Sequence, residues 1–245
     1  MHHFSCEQLQ KSYDGQLILD DISLYVEQGE LVSILGASGV GKTTLFQLIS
    51  GLEPLDSGKV LLDGREITGQ TGVVGYMLQK DLLLPFRTVL DNVCLPLLIQ
   101  GKKTWEAREL ATPLLQEFGL MESADKYPSQ ISGGMKQRAA LLRTYLCSGS
   151  MMLLDEPFSA LDAITKASLH DWYFDMVKEK GISTLFITHD IDEAILLSDR
   201  IYILAGNPAK VTQEFRVQTR LRKREFALTV DFLHYKQEIL SAIEN

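Results

Sequence analysis

Eight consecutive residues, Gly36-Ala37-Ser38-Gly39-Val40-Gly41-Lys42-Thr43, have the composition of an anion cradle. Glycines let successive backbone N–H groups curl around a phosphate. A helix beginning directly after them points its positive end at the same anion. Lys42 can reach the β- and γ-phosphates of a nucleotide, and the Thr43 hydroxyl can ligate Mg²⁺. The octet fits G-x-x-x-x-G-K-[ST], the P-loop, without a mismatch. A glycine-rich turn followed by Lys-Thr by coincidence has a probability of roughly 1% in a chain of this length. Thr44, the next residue, completes the segment expected to contact nucleotide.

Met151-Met152-Leu153-Leu154-Asp155-Glu156 supplies carboxylates for the same chemistry. An apolar strand ending in acids places them at the carboxyl edge of a sheet, where ligands bind in open α/β folds. Asp155 can then hold the Mg²⁺ bound by Thr43. Glu156 can orient or deprotonate an attacking water. Ile131-Ser132-Gly133-Gly134-Met135-Lys136-Gln137-Arg138 joins a Ser-Gly-Gly turn to a helix start. That segment is a second ready-made anion site. Taken alone it reads more readily as a helix capped by Ser132.

With these motifs in place, the sequence resembles the ATP-binding subunit of ABC transporters. Segment 131–138 is similar to the family signature Leu-Ser-Gly-Gly-Gln, with Ile131 and Met135 as the two departures. Gln79 matches the Q-loop glutamine, Ser159-Ala160-Leu161-Asp162 the D-loop, His189 the switch histidine and Tyr13 the adenine-stacking aromatic. Alone, Tyr13 is a strand aromatic, Gln79 a polar strand end, His189 a structural histidine and Asp162 a helix cap. In family order they imply more. Tyr13 stacks on adenine, Gln79 meets Mg²⁺ or the attacking water, and His189 meets the γ-phosphate. Glu156 is the general base, with His189 and Lys42 stabilising transferring charge. Residues 159–162 belong to a dimer interface. The resemblance covers about residues 3–205. It implies ATP and Mg²⁺ as cofactors and a second copy of the chain, arranged head to tail. Ser132, Gly133 and Gly134 of one copy then act on ATP held by the P-loop of the other. ATP closes the dimer and hydrolysis opens it.

The elements that must position these groups are short strands alternating with helices. Leu31–Leu35 precedes the P-loop, and Thr43–Ser50 reads as the following helix. Strand patterns recur at 4–13, 17–26, 59–62, 73–78, 151–154, 184–187 and 200–204. Helical patterns occupy most of 81–148, then 163–180 and 191–197. The expected fold is α/β, a P-loop NTPase core with a mostly parallel sheet flanked by helices. It carries an N-terminal antiparallel β subdomain and an inserted helical subdomain. The boundaries expected are a cassette over 1–205, with core 1–78 and 150–205 and helical insertion 79–149. A short extension follows at 206–245. Residues 225–244 suggest one terminal helix with Phe226, Val230, Leu233, Ile239 and Leu240 near one face.

The 245 residues carry a net charge of −8, with 45% hydrophobic and 23% charged residues, which is ordinary globular usage. Residues 206–245 are net +2, so the rest carries −10. An acidic body is a poor match for nucleic acid, whose binding rests on neutralising phosphates. Three scattered cysteines suggest neither a disulfide framework nor a metal site. The N-terminus does not read as a signal peptide, and no apolar run is long enough to span a membrane. His2, His3, His170 and His234 read as surface residues.

A transport role therefore implies separate transmembrane permease subunits, and a peripheral place on the cytoplasmic face of the cell membrane. An extracytoplasmic solute-binding protein would take part indirectly. The apolar loop and helix start at 79–93 is the expected docking surface. Segment 84–93 is similar to the nitrate/sulfonate/taurine importer branch, which includes carriers of thiamine-precursor pyrimidines. A soluble non-transport ABC ATPase and an exporter subunit stand as alternatives.

Overall fold

The computed structural model describes residues 2–148, 150–159, 161–218 and 223–244. The chain begins with β1 (Phe4–Tyr13) and β2 (Gln16–Val26), an antiparallel hairpin. Next come β3 (Leu31–Leu35), helix α1 (Lys42–Ile49), β4 (Ser57–Leu62), β5 (Arg65–Glu66) and β6 (Gly75–Met77). Helices α2 (Val89–Ile99), α3 (Thr104–Glu117) and α4 (Gly133–Ser148) follow before β7 (Met151–Asp155). The remainder is α5 (Ala163–Lys180), β8 (Ser183–Thr188), α6 (Ile191–Leu197), β9 (Arg200–Gly206), β10 (Ala209–Arg216), α7 (Lys223–Phe226) and α8 (Val230–Glu244).

The ten strands among the described residues form one sheet, in the order β5-β4-β1-β2-β10-β9-β3-β8-β7-β6. From β9 to β6 the neighbours run parallel, and β5, β4, β1 and β2 are antiparallel. Every residue of β3, β7 and β8 is buried, the mark of strands covered on both faces. Alternation divides them between two cores. Leu154 and Phe186 pack with Val93, Phe118 and Tyr173 under the helices; Leu153 and Ile187 pack with Phe46 and Ile22 on the other side. Each such fully buried side chain contributes about 1.5–3 kcal/mol.

The C-terminal region differs from the sequence reading. Residues 206–245, read as an extension, add β10 antiparallel to β9 and two helices. The alternation of β10 is mostly polar, with only Ala209 buried, so it left little strand signal. The single helix expected over 225–244 is broken. The Thr229 hydroxyl accepts the Phe232 N–H at 3.3 Å and starts α8 as a new cap. Phe226, Phe232 and Ile239 are buried with Leu35, Ile195 and Ile201 in a third core. Val230 and Leu233 point to solvent, 80% and 56% exposed, so the expected apolar face is rotated.

Candidate active site

Register brings the predicted residues into one row. Leu35 lies beside Thr188, Ile187 beside Asp155, and Leu154 beside Met77. The chain therefore leaves adjacent strands at Gly36, His189, Glu156 and Gln79, all at the carboxyl edge where open α/β sheets bind ligands.

The phosphate cradle depends on two glycines. A Cβ at Gly36 would overlap the Leu204 carbonyl oxygen, so only glycine lets the loop pass β9. Gly41 has φ 107°, and a Cβ there would stand 2.9 Å from Leu19 Cδ2. Ala37, Ser38 and Gly39 are exposed, and Val40 is half-buried. The first N–H groups of α1, at Lys42, Thr43 and Thr44, precede any acceptor within the helix and are open to an anion. A cavity of about 470 Å³ adjoins residues 37–40, bounded by Gln16, Ile18, Gly206 and Ile243. The Lys42 ammonium donates to the carbonyls of Gly36 (2.8 Å) and Ala37 (2.9 Å). Burial lowers its pKa, against the opposing charges of Glu156 and Asp155.

The Thr43 hydroxyl donates to Asp155 Oδ2 at 3.0 Å, and the Tyr76 hydroxyl approaches the same oxygen at 3.5 Å. Burial pushes the Asp155 carboxyl up, and the Thr43 hydrogen bond only partly offsets it. A hydroxyl and a carboxylate this close are a hard-oxygen pair of the kind Mg²⁺ takes beside substrate phosphates. Among the described residues no group of three or more His, Cys, Asp or Glu could hold a metal by itself.

Glu156 sits at φ 46°, in the left-handed region that non-glycine residues seldom enter. Its N–H donates to Ile187 O at 3.1 Å, which holds the turn against β8. Both carboxylate oxygens are then engaged. Gln79 Nε2 donates to Oε2 at 2.9 Å, and His189 Nδ1 lies 3.1 Å from Oε1. Backbone strain of this kind collects at functional sites.

Of the remaining predicted residues, Ser159 adjoins this row, its hydroxyl donating to the Glu156 carbonyl at 3.0 Å, and the others lie apart from it. Tyr13 is 40% exposed at the β1–β2 turn and pairs with Gln16, which lines the cavity beside the P-loop. Ser132 and Gly133 are exposed at the start of α4. A Cβ at Gly133 would lie 3.6 Å from Leu161, and one at Gly134 only 2.8 Å from Thr165 Cγ2. Ser159 and Asp162 are exposed, Asp162 capping α5 through the N–H groups of Ile164 and Thr165. Ala160 lies outside the described residues.

Several residues escaped the sequence reading. His170, read as a surface residue, is buried, with Nε2 3.4 Å from Glu193. His3 is half-buried and bonded to Asp63 at 2.8 Å. Asn92 is wholly buried and bonds the backbone of 84–88 four times. Arg143 donates to the carbonyls of Leu82 and Asp81. Gln137, one turn into α4, donates to the Pro157 carbonyl beside Glu156. A buried Asn within an apolar helix was the one such signal visible in the sequence, at Asn92.

Comparison with known proteins decides the family. Residues 19–159 match the model of the family described as ABC transporter. The chain belongs to the ABC transporter family. Within it, the chain is an ATP-binding and ATP-hydrolysing component. It is 44% identical over 207 residues to the formylaminopyrimidine import ATP-binding protein ThiZ of Halalkalibacterium halodurans, covering 84% of this chain and 81% of the relative. It is 39% identical over 238 residues to the aliphatic sulfonates import ATP-binding protein SsuB 2 of Agrobacterium fabrum, covering 97% and 88%. Among solved structures, a dimeric post-hydrolysis state of the ATP-binding cassette MJ0796, bound to ADP and Pi, aligns with TM-score 0.75. Its identity is 28%, and the alignment covers 88% of this chain and 99% of that one.

Proposed function

We propose that this ABC ATPase powers import of a small solute, by closing on ATP as a head-to-tail dimer and opening on hydrolysis. The single observation that carries the site assignment is the bracketing of Glu156 by Gln79 and His189, directly after Asp155 of the Thr43–Asp155 pair. The names of the similar proteins, a pyrimidine importer and a sulfonate importer, support import of a small organic or oxyanionic solute.

In this reading the backbone N–H groups of the loop and the start of α1, within Ala37–Thr44, bind the phosphates, and Lys42 leaves its loop carbonyls for the γ-phosphate. Thr43 and Asp155 hold Mg²⁺, which neutralises charge on the phosphate oxygens when bound. Glu156 takes a proton from the attacking water as the bond from the γ-phosphorus to the bridging oxygen breaks. His189 orients Glu156 through Nδ1 and Gln79 fixes the other oxygen. Tyr13 stacks on the adenine. Ser132, Gly133 and Gly134 grip the γ-phosphate held by the partner copy, and residues 159–162 line the dimer interface.

Residues 1–78 and 150–205 form the nucleotide-binding core in this reading, and 79–149 the helical arm that meets the permease. Leu82 and Phe86, 52% and 72% exposed, protrude from the loop after Gln79. A cavity of about 320 Å³ is lined by Tyr76, Leu95, Pro96, Ile99 and Arg143, whose guanidinium also holds the Leu82 carbonyl. No helix among the described residues is long and apolar enough to cross a membrane, so the permease subunits hold the chain at the cytoplasmic face. A solute-binding protein delivers the cargo on the far side. Glu156→Gln is the test. It keeps ATP affinity and lowers turnover by about 100-fold or more, the scale of a lost general base. Near-normal turnover removes Glu156 from the role.

A further inference from the structure

A partly buried ion cluster lies behind His189, on residues that the proposed mechanism does not use. The Lys166 ammonium stands 2.7 Å from Asp190 Oδ2 and 2.7 Å from Glu193 Oε2. His170 Nε2 reaches the same Glu193 oxygen at 3.4 Å, and the Phe158 ring packs edge-on against the imidazole at 4.5 Å. Glu193 is 3% exposed. Gathering these charges around the buried Glu193 carboxylate is costly relative to an apolar core. Their geometry gives a reason for them.

Asp190 immediately follows His189 and uses both carboxylate oxygens. Oδ1 accepts the Glu193 N–H at 3.1 Å and caps α6, while Oδ2 takes the Lys166 ammonium. Its own N–H donates to Thr188 Oγ1 at 3.0 Å. The peptide beside His189 is thus clamped from α5. The other side of the same helical turn meets the Ser-Gly-Gly segment. Thr165 Cγ2 fills the space a side chain at Gly134 would need, and Leu161 borders Gly133. Between these contacts lies a cavity of about 80 Å³ enclosed by Glu156, Ser159, Leu161, Lys166, His189 and Asp190. Burial alone would lower the Lys166 pKa, but its hydrogen bonds to Asp190 and Glu193 outweigh that and raise it, so the clamp is charged at neutral pH.

We propose that Lys166 is a positioning residue that ties the His189 loop to the first turn of α5. Engagement of Ser132–Gly134 by a second copy's ATP thereby sets His189 against Glu156 in the same chain. This rests on the reading that Ser132–Gly134 face a second copy. It makes each site sense the occupancy of the other through one helical turn.

The test compares Lys166→Met and Lys166→Arg in the full chain, measuring fluorescent ATP-analogue affinity, single-turnover hydrolysis and amide exchange over 188–193. Lys166→Met keeps nucleotide affinity within about twofold and loses between about tenfold and a hundredfold in turnover, the scale of a small misplacement of reacting groups. Exchange over 188–193 rises, and Lys166→Arg restores both. Should Lys166→Met fail to fold, Asp190→Asn keeps the α6 cap and removes the ion pair, with the same expected loss. A stable Lys166→Met protein with wild-type turnover and exchange overturns the proposal. ATP-dependent dimerisation, measured alongside, separates the two readings. A dimer that forms normally while turnover is unchanged defeats only the clamp. A dimer insensitive to Ser132→Arg defeats the underlying reading.

Discussion

Replacing Asn92 with leucine tests how the loop after Gln79 is held. The two side chains branch alike and have the same number of heavy atoms, so the change removes hydrogen bonds without opening a cavity. Asn92 accepts the Leu84 N–H at 2.7 Å and donates to Leu84 O, Arg87 O and Thr88 O at 2.9–3.1 Å. Two amide protons are shared among the three carbonyls, so the side chain makes at most three full hydrogen bonds, and at about 1 kcal/mol each the loss is about 3 kcal/mol. The added apolar burial returns about 1–2 kcal/mol of it. The Leu84 carbonyl keeps the Arg87 N–H at 3.1 Å, whereas nothing within the described fold replaces the acceptor for the Leu84 N–H. Leaving that N–H unpaired adds about 1 kcal/mol, so the expected net cost is about 2–3 kcal/mol. Concentrated in the loop, that speeds amide exchange over residues 82–88 by about 30- to 150-fold, since 1.4 kcal/mol is a factor of ten. Exchange read by mass spectrometry on a peptide covering 82–88, beside urea unfolding, checks it. Unchanged exchange there, with stability within about 0.5 kcal/mol of wild type, would refute the claim that Asn92 pins the loop.

Two further outcomes follow from the site. Lys42→Ala weakens nucleotide binding in an equilibrium titration, because the cation next to the exposed loop amides is gone; unchanged affinity contradicts the phosphate assignment. The Lys166 cluster makes a signed pH prediction. Glu193 is buried and Asp190 half-buried, which alone would raise them, but hydrogen bonds to Lys166 and, for Glu193, first to His170 hold them below their ordinary values of 3.8 and 4.5. Their contribution is therefore present above those values and lost as pH falls through the depressed folded ones. That of Lys166 is present below its ordinary 10.5 and lost above it. The stability gap between wild type and Lys166→Met should stay flat from about pH 5.5 to 9.5 and narrow in acid. Thermal melts across that range check it, and a gap that widens on acidification counts against the pairing.

The row of chemistry at the sheet edge was legible because it rests on local patterns. Gly36–Thr43 announces itself through glycine spacing, and Asp155-Glu156 through the apolar run before them. Burial on both faces makes β3, β7 and β8 read as unbroken apolar stretches. What was illegible depends on contacts distant in sequence. Lys166 meets Glu193 across 27 positions, and Gln137 meets Pro157 across 20. No short pattern shows that His170 is buried, because its partner Glu193 comes from another helix. β10 was missed because one face of it is solvated and polar. The rotated face of α8 follows from the Thr229 cap, which resets the helical phase at Val230.

The most direct measurement is the mass in solution of Glu156→Gln with and without ATP and Mg²⁺. The account predicts a monomer that becomes a dimer when ATP is added, and a return to monomer when Ser132→Arg is introduced beside it. A nucleotide-bound chain that stays monomeric, or a dimer indifferent to Ser132→Arg, would contradict the shared site.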